Sequence, residues 1–160
     1  MIKIKILSGI PACGKTIFSR EYVNKNANSV RINRDDLRES LINNIYTDGN
    51  ENFVNKAKMA LIGTAIENDK DMILDDTHCY EDYLKFLIGY IKSVGEQLHK
   101  QIHIEILDFN IDLDKCLDRN DRRDGNIPRH MVLHMFNEKK KIKYTDLDID
   151  KYTIFNDEQE

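Results

Sequence analysis

Residues 2–16 constrain this chain more than any other stretch. A β-rich run, Ile2-Lys3-Ile4-Lys5-Ile6-Leu7, leads directly into Gly9-Ile10-Pro11-Ala12-Cys13-Gly14-Lys15-Thr16. The second string fits the pattern G-x-x-x-x-G-K-[ST] without a mismatch. Glycines let the backbone curl so that successive N–H groups point inward at an anion. Lys15 would then reach the β- and γ-phosphates of a nucleotide, and the Thr16 hydroxyl would ligand Mg²⁺. Ile17, Phe18, Tyr22 and Val23 repeat at helical spacing after the loop. A helix opening at Thr16 adds its positive end to the same anion site. Strand, phosphate-cradling turn and helix in that order make ATP or another nucleoside triphosphate the expected ligand, held by Gly9, Cys13, Gly14, Lys15 and Thr16.

The rest of the chain repeats the alternation of strand and helix. Asn28 to Asn33 reads as a second strand, followed by a helix over residues 34–42 with Asn33 as its N-cap and acids in its first turn. Asp48-Gly49 is a turn signal. A helix from about Glu51 to Asn68 carries Phe53, Ala57, Leu61 and Ala65 on one stripe. Asp71 to Asp76 reads as a buried parallel strand ending in two acids. Tyr80, Tyr83, Leu84, Leu87, Ile88, Ile91, Val94 and Leu98 recur at three and four, giving the clearest helix. Residues 102–107 form another strand. A helix from about Asp112 runs into an arginine-rich segment, Gly125 breaks it, and a last helix opens at about Pro128. Residues 152–155 add a final strand before an acidic tail. This pattern predicts an open, mostly parallel α/β sheet with helices on both faces, built as a single domain over residues 1–160. In such sheets the ligand lies beyond the carboxyl ends of the strands.

Bulk properties narrow the function classes. The net charge of −4 provides no broad basic surface for wrapping duplex nucleic acid, so a nucleic-acid contact would be local, over a few nucleotides. No apolar stretch approaches the roughly 18 residues that cross a bilayer. The three cysteines (Cys13, Cys79, Cys116) form no C-x-x-C pair, which fits a reducing, intracellular (cytoplasmic) setting. His130 and His134 stand four apart, but no Glu follows His130 as a metalloprotease helix requires.

Four groups fall where strands end: the phosphate loop, Asp35 with Arg38, Asp75 with Asp76, and Arg119, Arg122 and Arg123. Phosphoryl transfer asks a protein for positioning and charge neutralisation, and for a carboxylate to orient the attacking hydroxyl. Asp35 and Arg38, three apart on one helical face, would hold a hydroxyl and a neighbouring anionic group together, or form only a capping acid with a surface ion pair. Either Asp75 or Asp76 would hold the water shell of Mg²⁺, and Asp76 would alternatively face the acceptor. Arg119 and Arg123 ahead of a Gly-x-x-Pro break suggest an arginine-bearing lid over the donor phosphates.

Gly9-x-x-x-x-Gly14-Lys15-Thr16, Ile32-Asn33-Arg34-Asp35-Asp36-Leu37-Arg38, Ile73-Leu74-Asp75-Asp76-Thr77, and Arg119-Asn120-x-x-Arg123 before Pro128 resemble, in order and spacing, the kinase domain of phage polynucleotide 5′-kinase/3′-phosphatase. The resemblance covers essentially the whole chain and only the kinase half of that family. It implies a P-loop kinase fold and ATP-dependent phosphorylation of the 5′-hydroxyl end of DNA or RNA. It further implies that Lys15 and Thr16 bind the donor phosphates and Mg²⁺, and that Asp35 is the general base. Arg38 would hold the acceptor's 3′-phosphate and Asp76 would line the acceptor site. Arg123, supported by Arg119, would stabilise the donor phosphates. His78 and Asp124 depart from the family's pattern. Two alternatives stand beside this reading: a P-loop kinase of a small molecule or nucleotide-sugar, as in toxin-type phosphotransferases, and a nucleotide-gated binding module that transfers nothing.

Overall fold

Strand β1 (Ile2–Ser8) sends successive side chains to opposite faces, and that alternation organises the molecule. A computed structural model of the chain describes residues 1–156; the acidic tail expected beyond them lies outside the described residues. The other strands are β2 (Ser29–Ile32), β3 (Asp71–Leu74), β4 (Ile102–Phe109) and β5 (Lys151–Phe155). They form one sheet in the order β2-β3-β1-β4-β5. Every pairing is parallel, so the sheet is wholly rather than mostly parallel.

Helices cover both faces. Ile2, Ile4 and Ile6 of β1 pack on one face with Met72, Leu74, Ile104 and Ile106, under α3 (Asp48–Glu67) and α4 (Glu81–Gln97). Leu7, Ile73, Leu107 and Phe109 point to the other face, against α1 (Lys15–Lys25), α5 (Leu113–Arg122) and α6 (Arg129–Lys139). Helix α2 (Arg34–Ile42) follows β2, and the Asn33 side chain accepts from the Asp36 N–H at 2.9 Å, which is the expected cap. All the strands run the same way, so the loops after β1, β2, β3 and β4 share one edge.

Three local expectations are corrected. Asp48-Gly49 does not break a helix but opens one: the Thr47 hydroxyl accepts from the Asn50 N–H at 3.1 Å and caps α3. The buried stripe of α3 is Val54, Lys58, Ile62, Ala65 and Ile66, whereas Phe53 and Leu61 are exposed. The buried face is thus offset by about one residue, with Val54, Ile62 and Ile66 inward and Lys58 carried in among them. Arg123 is not helical; it caps α5 in an extended conformation.

Candidate active site

The shared edge holds a cavity of about 510 Å³. Its walls come from the four groups picked out by sequence: residues 11–17 of the loop, Asp35 and Arg38, Asp75 and Asp76, and Arg119 and Arg123. Gly9 lies beneath this lining. A Cβ built on Gly9 would stand 2.6 Å from Cys13 Sγ and 2.9 Å from Phe109 Cβ, so the loop needs glycine there for close approach. Gly14 needs it for conformation, at φ +97°. Lys15 is buried, and its Nζ donates to the carbonyls of Gly9 (2.7 Å) and Ile10 (2.9 Å) and to Cys13 Sγ (3.3 Å). The lysine therefore lies folded onto the loop that it serves.

Asp75 and Asp76, which no sequence pattern separates, occupy different environments. Asp75 is buried at the end of β3. Its Oδ2 accepts from Ser19 Oγ and from Arg31 Nε, each at 2.7 Å, while Oδ1 is buried with no hydrogen-bond partner. A buried carboxylate oxygen without a donor costs free energy unless a cation or water completes it. With the Thr16 hydroxyl on the same cavity wall, the donor set is all oxygen, as Mg²⁺ prefers. The residues present fit that ion.

Asp76 has both oxygens engaged by protein. Oδ1 accepts from the Arg34 N–H at 2.8 Å, and Oδ2 pairs with Lys58. Burial pushes its carboxyl up, but the adjacent Lys58 ammonium and the Arg34 N–H outweigh burial and hold it at about 2. Lys58 is fully buried and also donates to Tyr83 Oη at 3.1 Å and approaches His78 Nε2 at 3.4 Å. The Leu7 carbonyl lies 2.7 Å from His78 Nδ1. A carbonyl only accepts, so Nδ1 carries the proton and Nε2 accepts from Lys58. Burial, then repulsion from Lys58, lowers His78 to about 3, and the ring is neutral.

Asp35 and Arg38 stand together on the same cavity lining. Arg38 Nη1 donates to Asp35 Oδ1 at 2.5 Å, and the Asp35 side chain is 83% exposed. Arg38 is held by a second acid, Glu51 of α3, with Nε at 2.6 Å from Oε1 and Nη2 at 2.9 Å from Oε2. The Tyr46 ring covers the guanidinium, its centroid 4.8 Å away. On the lid side Asn120 is fully buried and exchanges two hydrogen bonds with the Ile127 backbone, Nδ2 to the carbonyl at 2.7 Å and the N–H to Oδ1 at 3.1 Å. This clamp closes the loop that carries Arg123 next to the cavity. Ile127, Met131 and Met135 give that end an apolar wall.

The family described as AAA domain matches residues 4–140. The chain belongs to that family. The AAA domain is 27% identical over 135 residues to the L-seryl-tRNA(Sec) kinase of Methanococcus maripaludis, covering 82% of the chain and 50% of the relative. It thus spans about half the length of that curated relative. Among solved structures, it superposes on a chain of the Pnkp1/Rnl/Hen1 RNA repair complex with a TM-score of 0.70 and 21% identity, over 87% of this chain and 44% of that one. A fungal RNA kinase gives a TM-score of 0.70 at 16% identity, over 96% and 73%. The fold of this AAA domain is that of P-loop kinases, as the loop, the sheet and the resemblance implied. No helix among the described residues is long and apolar enough to cross a membrane.

Sequence reasoning named the four charged groups that line the cavity but not its apolar wall, and it gave no role to Arg31, Glu51, Lys58 and Asn120, which hold those groups in place. Only Lys58 left a trace: it interrupts an otherwise apolar row of Val54, Ile62 and Ile66 at spacings of four.

Proposed function

We propose that this AAA domain transfers the γ-phosphate of ATP to a hydroxyl at the 5′ end of a DNA or RNA strand. The observation that carries the reading is the placement of Asp35, an exposed carboxylate that lines the same cavity as the loop residues Gly14, Lys15 and Thr16. Arg38 engages one oxygen of Asp35, which leaves the other to take the acceptor's proton. The freed acceptor oxygen attacks the γ-phosphorus, the bond to the β–γ bridging oxygen breaks, and ADP leaves. Lys15 leaves the loop carbonyls for the donor phosphates, and Arg123 with Arg119 neutralises the charge that develops. Thr16 and Asp75 Oδ1 would hold Mg²⁺, which supplies charge neutralisation at the donor when bound. The likenesses to an RNA kinase, an RNA repair complex and a tRNA-linked kinase support an acceptor on nucleic acid.

Incubation with γ-labelled ATP, Mg²⁺ and a 5′-OH oligonucleotide should label the strand. Asp35→Asn should lower that rate by about 10²–10⁴-fold while nucleotide affinity stays near wild type. Unlabelled ends with intact ATP binding would refute the acceptor assignment. A second reading, a small hydroxyl acceptor, is favoured by one observation: the charge of Arg38 is already met by Asp35 and Glu51. Preference for a neutral polyol or sugar over any 5′-OH nucleotide in the same assay would establish it.

A further inference from the structure

Two carboxylates share one guanidinium at the acceptor wall, and their roles differ. Asp35 touches Arg38 through a single contact, whereas Glu51 takes Nε and Nη2 side by side. Side-on engagement through two parallel N–H···O bonds is also the way arginine binds a phosphate. The Arg38 side chain is only 3% exposed, so no outside anion reaches that edge while Glu51 is seated. Glu51 itself is 31% exposed and stands near the start of α3, so it can swing into water, and the buried Arg38 edge it vacates then needs another anion in its place. The Tyr46 ring over the guanidinium and the Asp35 contact at Nη1 remain when it does. Asp35, Arg38 and Glu51 together carry one net negative charge, which repels an anionic acceptor until Glu51 leaves.

We propose that Glu51 is the specificity-determining residue of the acceptor site, an internal anion that competes with the acceptor's phosphate for Arg38. The inference rests on the reading of Arg38 as the ligand for a phosphate beside the attacked hydroxyl. Glu51 thereby sets how strongly the site prefers phosphate-bearing acceptors over bare nucleosides. Removing its charge strengthens that preference. A residue that merely braced Arg38 would do the opposite, because its loss would disorder the phosphate ligand.

The test is steady-state kinetics of wild type and Glu51→Gln with a nucleoside 3′-monophosphate and with the matching nucleoside, at saturating ATP. The expected result is a roughly tenfold lower KM for the 3′-monophosphate, about 1.4 kcal/mol, carried by KM rather than kcat. The KM values for the nucleoside and for ATP serve as references. Glu51→Ala should shift in the same direction. A raised KM for the 3′-monophosphate in both variants would overturn the proposal. Calorimetric titration of inorganic phosphate, with the donor site filled by a non-hydrolysable ATP analogue, reads the same competition without turnover. Glu51→Gln should bind phosphate more tightly than wild type, and the Glu51→Gln/Arg38→Ala double variant should lose the gain. Equal phosphate affinity in wild type and Glu51→Gln would overturn it. If no 5′-OH nucleotide is phosphorylated, the functional reading fails while this titration still decides the role of Glu51.

Discussion

Lys58 is a cation sealed from water, and each of its neighbours is explained by that fact. Asp76 neutralises it, Tyr83 takes a hydrogen bond, and His78 stays neutral to avoid a second buried positive charge. Breaking such a pair from one side strands the remaining charge, so Lys58→Met should destabilise the fold by about 3–5 kcal/mol, read from urea denaturation. Asp76 also accepts the Arg34 N–H at the start of α2, one residue before Asp35. Loss of Lys58 should therefore impair catalysis beyond its effect on stability. His78 gives a pH signature. Its folded pKa of about 3 lies below its ordinary 6.5, so the unfolded chain takes up a proton first as pH falls. The stability tied to the neutral ring is present above pH 6.5 and is lost as pH falls toward 3. His78→Asn, whose amide can still donate to Leu7, should flatten the dependence of the urea midpoint between pH 6.5 and 5.

Among the elements, the segment after α5 is held by the Asn120 clamp and by the Arg129–Asp121 ion pair. Asn120 satisfies both the N–H and the carbonyl of Ile127. Asn120→Ala leaves both part-buried backbone groups of Ile127 without their partner, at a cost of about 1 kcal/mol each. The expected result is faster proteolysis within residues 121–127 and a raised KM for ATP, with the far sheet edge unaffected. Sequence made the strands and most helices legible because their apolar spacing is dictated by the two-sided sheet. It misplaced the buried face of α3 because periodicity scores a lysine as polar, whereas Lys58 is solvated by Asp76 instead of water. It also misread Asp48-Gly49, whose turn preference was overridden by the Thr47 cap. The charged part of the cavity lining was visible because most of its residues follow strand ends; the apolar wall of Ile127, Met131 and Met135 was not. The braces Arg31, Glu51 and Asn120 were not, because their partners are set by helix packing that no local pattern encodes.

For the whole molecule, a net charge of −4 and a cavity lined by both arginines and carboxylates imply contact with few phosphates. If the acceptor is a single strand, log K for a 5′-OH oligonucleotide should fall with log salt at a slope of about −0.7 to −1.4, as for one or two phosphates. A slope several times steeper would mean that a surface outside the cavity joins in binding. Lengthening the acceptor beyond a few nucleotides should add little affinity for the same reason.

The Gly9–Thr16 turn is braced from within by Lys15, whose ammonium grips the carbonyls on the inside of the curve. A nucleotide therefore meets a turn already held in its curve, and Lys15 must leave these carbonyls to reach the donor phosphates. The loss of backbone freedom accompanies folding, not capture of the donor. Association with ATP should then proceed without a slow ordering phase, and shortening the lysine stem should slow capture as well as weaken it.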